Sequence, residues 1–324
     1  LCREIAPQID IHLSTQANVL NYLDAQVFWD MGVTRIVVAR EISLKDVIEI
    51  KKHLPDMEIE IFVHGSMCFA YSGRCLVSAV QMGRVPNRGS CANDCRFEYT
   101  LYAANEDHST LFRLEEEPGV GTYIFNSKDM NLASHIKEIL DSGAVDSLKI
   151  EGRTKSPYYA AVTAKAYRNA IDDYYDGKFE ASKYQRELYT TKNRGFTDAY
   201  LIHRPFEKTD SQNHDYALSK GSYEVTGLVT QDEEHFLCKY KVYPNEDIEI
   251  FTPMGEELVE CENEIGKIFK KDGIYYINFK KILTETNKEL ESVHSGNVNK
   301  IKLPGILPYL TMFRIENVDG TIVE

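Results

Sequence analysis

From Ile9 to Tyr175 the chain alternates short apolar runs with helix-length amphipathic patterns, and almost every run ends in polar residues. Strands are expected over Ile9–Ser14, Arg35–Glu41, Glu58–Gly65, Gly121–Asp129 and Ser147–Arg153. Helices are expected over Val19–Met31, stopping at Gly32, from Ser43 onward, up to about Ser142, and over Pro157–Tyr175. Ser43 with Asp46 three positions on is a capping-box pattern, and Leu44, Val47, Ile48 and Leu54 form one apolar face. Strands alternating with helices of this length build a parallel sheet. The polar residues at the run ends are Ser14, Gln16 and Asn18, then Arg40 and Glu41, His64, Asn126, Lys128 and Asp129, and finally Lys149, Glu151 and Arg153. A doubly wound sheet gathers ligands at one switch point, whereas a (β/α) barrel uses all its strand ends. Polar groups at five ends favour an α/β fold of the TIM-barrel type. Such a barrel has eight strands, so the expectation is an N-terminally truncated barrel with about three strands ahead of Leu1.

Residues 84–120 interrupt the alternation as a long insertion, and loops of that length in compact domains are usually functional or disordered. The barrel part is expected over 1–175 and a helical and loop connection over 176–215. From 216 to 324 short alternating runs read as a smaller all-β domain, a barrel or sandwich, with Asp272-Gly273 as a hairpin turn. The net charge is −13, which speaks against a broad nucleic-acid surface but leaves room for a local basic patch. No apolar run approaches the roughly 20 residues of a membrane span, so no membrane partner is expected. No secretion pattern opens the chain, and the expected location is cytoplasmic, where thiols stay reduced.

Four of the seven cysteines fall in one 28-residue window, with the spacing C-x6-C-x15-C-x3-C over Cys68, Cys75, Cys91 and Cys95. Structural zinc usually takes paired knuckles of C-x2–4-C, and only Cys91 and Cys95 conform. Free buried thiols are the plain alternative, but these four lie among Ser, Gly, Asn, Asp and Arg. Four thiolates in loops at a strand-end face fit an iron–sulfur cluster best, with zinc and free thiols as the alternatives. Arg74 and Arg96 each adjoin a cysteine and are placed to offset thiolate charge. No H-E-x-x-H or G-x-S-x-G occurs. A cysteine peptidase would need a positioned histidine, and His64, four before Cys68, is the candidate.

The stretches "EIEIFVHGSMCFAYSGRCLVSA", "HLSTQANVLN", "VAREIS", "RGSCANDCRFEY", "SLKIEGRTKSPYYAAVTAKAYRNAIDD" and "NRGFTDAYL" together resemble the peptidase U32 family, the so-called collagenase-like proteases. The resemblance covers most of residues 9–205, and is greatest to the branch that makes 5-hydroxyuridine at the tRNA wobble position. It implies a barrel with a C-terminal β domain, tRNA as partner, prephenate as a required co-substrate, and a [4Fe–4S] cluster. Carried over residue by residue, the ligands are Cys68, Cys75, Cys91 and Cys95. Related proteins sometimes act in pairs, so a paralogous partner is a further expectation. Binding a dicarboxylate such as prephenate calls for cationic forks, for which Arg40, Arg74, Lys149, Arg153 and Lys155 are candidates. Glu41, Glu151 and His64 are candidates for proton transfer. Tyr71, Phe97 and Tyr99 are candidates for stacking on a base. The other expected activities are a U32-type peptidase and a non-catalytic iron–sulfur scaffold or electron carrier.

Overall fold

The structure, a computed structural model, describes residues 1–97, 99–100, 102–105, 108–113, 126–153, 155–203, 211–213, 219 and 221–317. Two compact units are formed: 1–154 with 166–186 and 193–220, and 155–165 with 187–192 and 221–324.

The first unit opens with α1 (Cys2–Ile5), β1 (His12–Leu13), α2 (Tyr22–Asp30), β2 (Arg35–Val37), α3 (Leu44–His53) and β3 (Glu58–Ser66). It continues with α4 (Val77–Met82), an antiparallel hairpin of β4 (Tyr102–Asn105) and β5 (His108–Arg113), β6 (Asp129–Asn131), α5 (Ile136–Asp141) and β7 (Ser147–Ile150). Helix α6 (Pro157–Tyr175) gives its second half to this unit, α7 (Ala181–Tyr189) gives its first part, and β8 (Phe196–Thr197) follows.

Local chemistry explains the helix starts. Asn21 accepts from Asp24 N at 3.0 Å and so begins α2 at Tyr22 rather than Val19. Ser43 and Asp46 close the expected capping box of α3. Val47 and Ile50 then turn inward and are fully buried. The apolar run of β3 is buried from Ile59 to Gly65, as expected of a strand covered on both faces.

The sheet runs β1-β2-β3-β6-β8, with β7 also paired to β3. Strands β1, β2, β3 and β7 are parallel to one another, as the alternation requires. The fourth strand differs from expectation. Residues 121–125 lie outside the described residues, and β6 runs antiparallel to β3, with His64 opposite Asn131 and Ser66 opposite Asp129. A buried charge pair holds β6 where it lies. Arg194 donates its backbone N–H at 3.2 Å and its guanidinium to Asp129, and its Nε to the Ser127 carbonyl at 3.2 Å. Because β8 follows Arg194 directly, β6 is drawn alongside β8 in parallel. The path is open among the described residues, and the first unit is therefore a mixed sheet with helices. Strands β1, β2 and β7 end earlier than their polar tails, which leave the sheet to form turns.

The second unit holds β9 (Tyr223–Val229), β10 (His235–Cys238), β11 (Asp247–Phe251), β12 (Cys261–Glu262), β13 (Gly266–Lys271), β14 (Ile274–Phe279), β15 (Ile282–Leu283), β16 (Glu289–Leu290), β17 (Ile301–Lys302) and β18 (Met312–Glu316). Eight of them make one antiparallel sheet, β12-β13-β14-β11-β18-β9-β10-β17. Asp272 and Gly273 both have positive φ, 51° and 82°, and close the β13–β14 hairpin as a two-residue turn, as expected for Asp-Gly. Phe236, Phe279, Phe313 and Ile248 are fully buried in its core. Arg314 ties this sheet to helix residues of the same unit. Its guanidinium pairs with Glu249 and, at 3.1 Å, with Glu187, and donates to Tyr158 Oη at 2.8 Å. These partners hold the guanidinium proton above its ordinary pKa, although burial opposes them.

Removing one partner of a buried pair leaves an unpaired charge and costs about 3–5 kcal/mol. Arg194→Met is therefore expected to destabilise the first unit by that amount in urea unfolding, and Arg194→Met with Asp129→Leu to recover much of it.

Candidate functional site

The segment after β3 has little regular structure until α4, and side chains from the strand ends hold it. Glu41, just past β2, is the main anchor. Its carboxylate accepts from Ser72 N at 2.6 Å and from Ser72 Oγ at 3.0 Å. Ser72 Oγ in turn accepts from Arg40 N at 3.4 Å. Gly73 sits at φ +76° against the Gln16 carbonyl, where a methyl group would clash with that backbone. Gly65, at φ +125°, similarly lets the Glu151 backbone approach β3, and Glu151 N donates to the His64 carbonyl at 2.9 Å. On the far side of the loop, Arg153 donates to the Gly89 carbonyl at 2.5 Å. Asn93 takes the left-handed conformation, φ 63°, and opens the 3-10 turn Asp94–Arg96, which explains an Asn before "DCR".

These anchors bring the four cysteines together. All four are free thiols, Cys68 and Cys91 exposed, Cys75 and Cys95 partly buried. Crowding by surrounding protein raises the Cys68 thiol pKa even though part of the side chain reaches solvent. Arg40 and Arg96 counter this, and Glu151 and Cys91 add to it. Cys95 is likewise raised by burial, opposed by Arg96, and feels Cys68, Cys91 and Cys75. Asn93 N donates to Cys91 Sγ at 3.4 Å, and Ser78 Oγ lies 3.9 Å from the same sulfur. Cys95 thus feels the other three thiols, with Arg96 beside it and Arg40 near Cys68 as compensating charges. Among the described residues no three His, Cys, Asp or Glu side chains are gathered closely enough for a single ion. A tetrahedral zinc would need sulfurs about 3.8 Å apart, from Zn–S bonds of about 2.3 Å.

The floor beside the thiols is ionic. Arg40 is about 10% exposed, pairs with Glu151 and lies 4.0 Å from the Phe62 ring centroid. Lys149 Nζ sits 2.6 Å from Glu60 Oε1 and 5.9 Å from the same ring. Burial raises the Glu60 carboxyl pKa, but Lys149, with Ser147 and Arg35, outweighs it and leaves the group below its ordinary value. Sequence reasoning missed Glu60. Its signal was the matching charges at same-face positions of adjacent strands in "RIVV", "EIEIF" and "SLKI". Ser72 was missed as well, because it acts only through Glu41. So was Asp94, whose side chain is fully buried and whose carboxylate oxygens have no hydrogen-bond partner.

The structure thus brings Cys68, Cys75, Cys91, Cys95, Arg40 and Glu151 into one neighbourhood, with Glu41 as loop anchor, Arg153 pinning the 86–89 turn and Arg74 exposed. His64 lies in the core, its ring between Tyr167 and Phe196 at 5.6 and 5.4 Å between centroids. Lys155 belongs to the second unit, where its Nζ stands 5.3 Å over Tyr159 and donates to the Lys192 carbonyl at 3.4 Å. No helix among the described residues is long and apolar enough to cross a membrane.

The sequence matches a known family. The model of Peptidase family U32 covers residues 1–211, and the chain belongs to that family. It is 58% identical over 316 residues to the tRNA hydroxylation protein P of Helicobacter pylori (strain ATCC 700392 / 26695), covering 98% of this chain and 75% of that one. It is 38% identical over 312 residues to the tRNA hydroxylation protein P of Escherichia coli K12, covering 82% and 68%. It is 37% identical over 166 residues to the 23S rRNA 5-hydroxycytidine C2501 synthase of the same organism, covering 51% and 24%. No solved structure matches the chain.

Two outcomes test this site. Gly73→Ala forces a side chain into a left-handed position against backbone and is expected to cost about 1–3 kcal/mol. Cys68 and Cys75 should then react faster with Ellman's reagent. Lys149→Met removes the main cause holding Glu60 ionised. A depressed carboxyl stabilises above its unfolded pKa and loses that contribution as pH falls through the folded value. The stability lead of wild type over Lys149→Met should be full at pH 7 and shrink below pH 4.5.

Proposed function

We propose that this chain is the core of an RNA-modifying hydroxylase that places a hydroxyl on C5 of the wobble uridine of tRNA. The observation that carries the reading is the convergence of four cysteine thiols beside the Arg40–Glu151 pair, in a family whose relatives are named for tRNA hydroxylation and for 5-hydroxycytidine synthesis. In this reading the parallel strands β1, β2, β3 and β7 belong to a (β/α) barrel, and the eight-stranded sheet to a small β domain beyond it. The protein works in the cytoplasm on tRNA, with a paralogous partner as an additional component.

Replacing C5–H by C5–OH removes two electrons from the base and adds an oxygen atom, so the reaction takes a two-electron acceptor and an oxygen donor from outside the chain. Cys68, Cys75, Cys91 and Cys95 would hold a [4Fe–4S] cluster, which supplies the electron-transfer chemistry when bound. The chain's own residues do the remaining work. Arg74 and Arg153, both exposed at the loop face, offer forks for a dicarboxylate such as prephenate, with Arg40 as a deeper positive charge. Lys149 has the same role at the exposed edge of the Glu60 pair. Glu151, half-exposed on its pair with Arg40, is the carboxylate placed to move a proton. Glu41 holds Ser72, and so holds the loop. A peptidase needs a histidine on its thiol. The ring of His64 packs instead against Tyr167 and Phe196, so the hydroxylase is the favoured reading.

In cells lacking the full-length protein, 5-hydroxyuridine in digested tRNA should disappear by mass spectrometry. Wild type should restore it and Cys68→Ala should not. Full restoration by each of Cys68→Ala, Cys75→Ala, Cys91→Ala and Cys95→Ala would contradict the reading.

A further inference from the structure

Residues 69–97 carry four arginines, Arg74, Arg84, Arg88 and Arg96, and a single acidic residue, Asp94, in a chain of net charge −13. Asp94 is fully buried, so the charge this segment shows to solvent is positive. Arg74, Arg84 and Arg88 are exposed, and among the described residues none of them pairs with a carboxylate. Arg84 lends only its Nε to Ser90 Oγ, at 3.3 Å. The same segment exposes three large aromatic rings, Phe69 at 53%, Tyr71 at 64% and Phe97 at 49%. Tyr99 is held to the loop, accepting from Gln81 Nε2 at 3.0 Å and donating to the Asp94 carbonyl at 2.8 Å. Loops anchored by Glu41, Arg153 and Tyr99 keep this surface in place rather than letting the aromatic groups collapse inward.

We propose that this outer face of the cysteine loops is a docking surface for single-stranded RNA, an inference that rests on the hydroxylase reading and adds to it where the RNA is gripped. Guanidinium groups without carboxylate partners suit phosphates, so this face favours a polyanion. The surplus of acidic residues elsewhere in the chain disfavours phosphate contact over most of the surface. The exposed rings favour an unpaired strand. Bases splayed out of a stack present their faces to Tyr71 and Phe97, whereas a duplex keeps them covered. Arg84 and Arg88 follow α4 directly, between Cys75 and Cys91, so phosphates held there stay near the thiols. Exposed rings of this size would otherwise be a liability on a soluble surface.

The test uses full-length protein isolated without oxygen, a fluorescent anticodon stem-loop RNA with uridine at the wobble position, and a fully paired duplex of the same length. Binding is read by anisotropy across a series of salt concentrations. Wild type should prefer the stem-loop. Arg84→Ala with Arg88→Ala should weaken stem-loop binding at least about tenfold and flatten the salt slope by about 1.4, at about 0.7 per phosphate contact on single strands. Tyr71→Ala should weaken it about five- to a hundredfold with the slope unchanged. Iron content and circular dichroism of each variant control for folding. If wild type binds the stem-loop and the double arginine variant binds with the same affinity and slope, this surface is overturned while the hydroxylase reading stands. If wild type binds neither RNA, both fall.

Discussion

The cysteine loops have almost no regular structure to hold them, and their position depends on one carboxylate. Glu41 takes both the N–H and the hydroxyl of Ser72, which sits between Cys68 and Cys75. A charge-assisted pair of hydrogen bonds of this kind is stronger than neutral ones, and it fastens the loop to the end of β2. Gly73 against Gln16 and Gly65 against Glu151 then let backbone segments approach where no side chain fits. With these contacts in place the four thiols fall within one another's field. Without them a segment of this composition has little to order it.

The same strand ends carry the ionic floor. Arg35, Glu60 and Lys149 sit on neighbouring parallel strands and neutralise one another, while Arg40 reaches over Phe62 to Glu151. Buried charges of this kind are weak evidence for stability, but they keep cations beside a site that would collect thiolate charge. Fold and chemistry are therefore coupled through side chains that leave the sheet, not through the sheet itself.

Features set by near neighbours were legible in the residues. The Ser43–Asp46 capping box, the Asp272-Gly273 turn and the span Pro157–Tyr175 all depend on local chemistry, and each forms as read. The parallel pairing of β1, β2, β3 and β7 followed from alternation alone. What escaped depends on partners far along the chain. The charge partner of Asp129, at the start of β6, is Arg194, which lies 65 positions beyond it. The role of Glu60 needs Lys149, and that of Ser72 needs Glu41. Glu41 and Glu151 looked alike as strand-end carboxylates, yet one holds a loop and the other pairs with an arginine. Spacing marks which residue types are present, and only the fold shows which of them meet.

The account turns on the four thiols acting as one donor set. The most direct measurement is iron and acid-labile sulfide per chain, with the visible absorption spectrum, on full-length protein purified without oxygen and on its four single cysteine-to-alanine variants. The account predicts iron and sulfide in equal amounts with a charge-transfer band, all lost on changing any one of Cys68, Cys75, Cys91 or Cys95. Folded protein that carries zinc, or whose iron survives these changes, would contradict it.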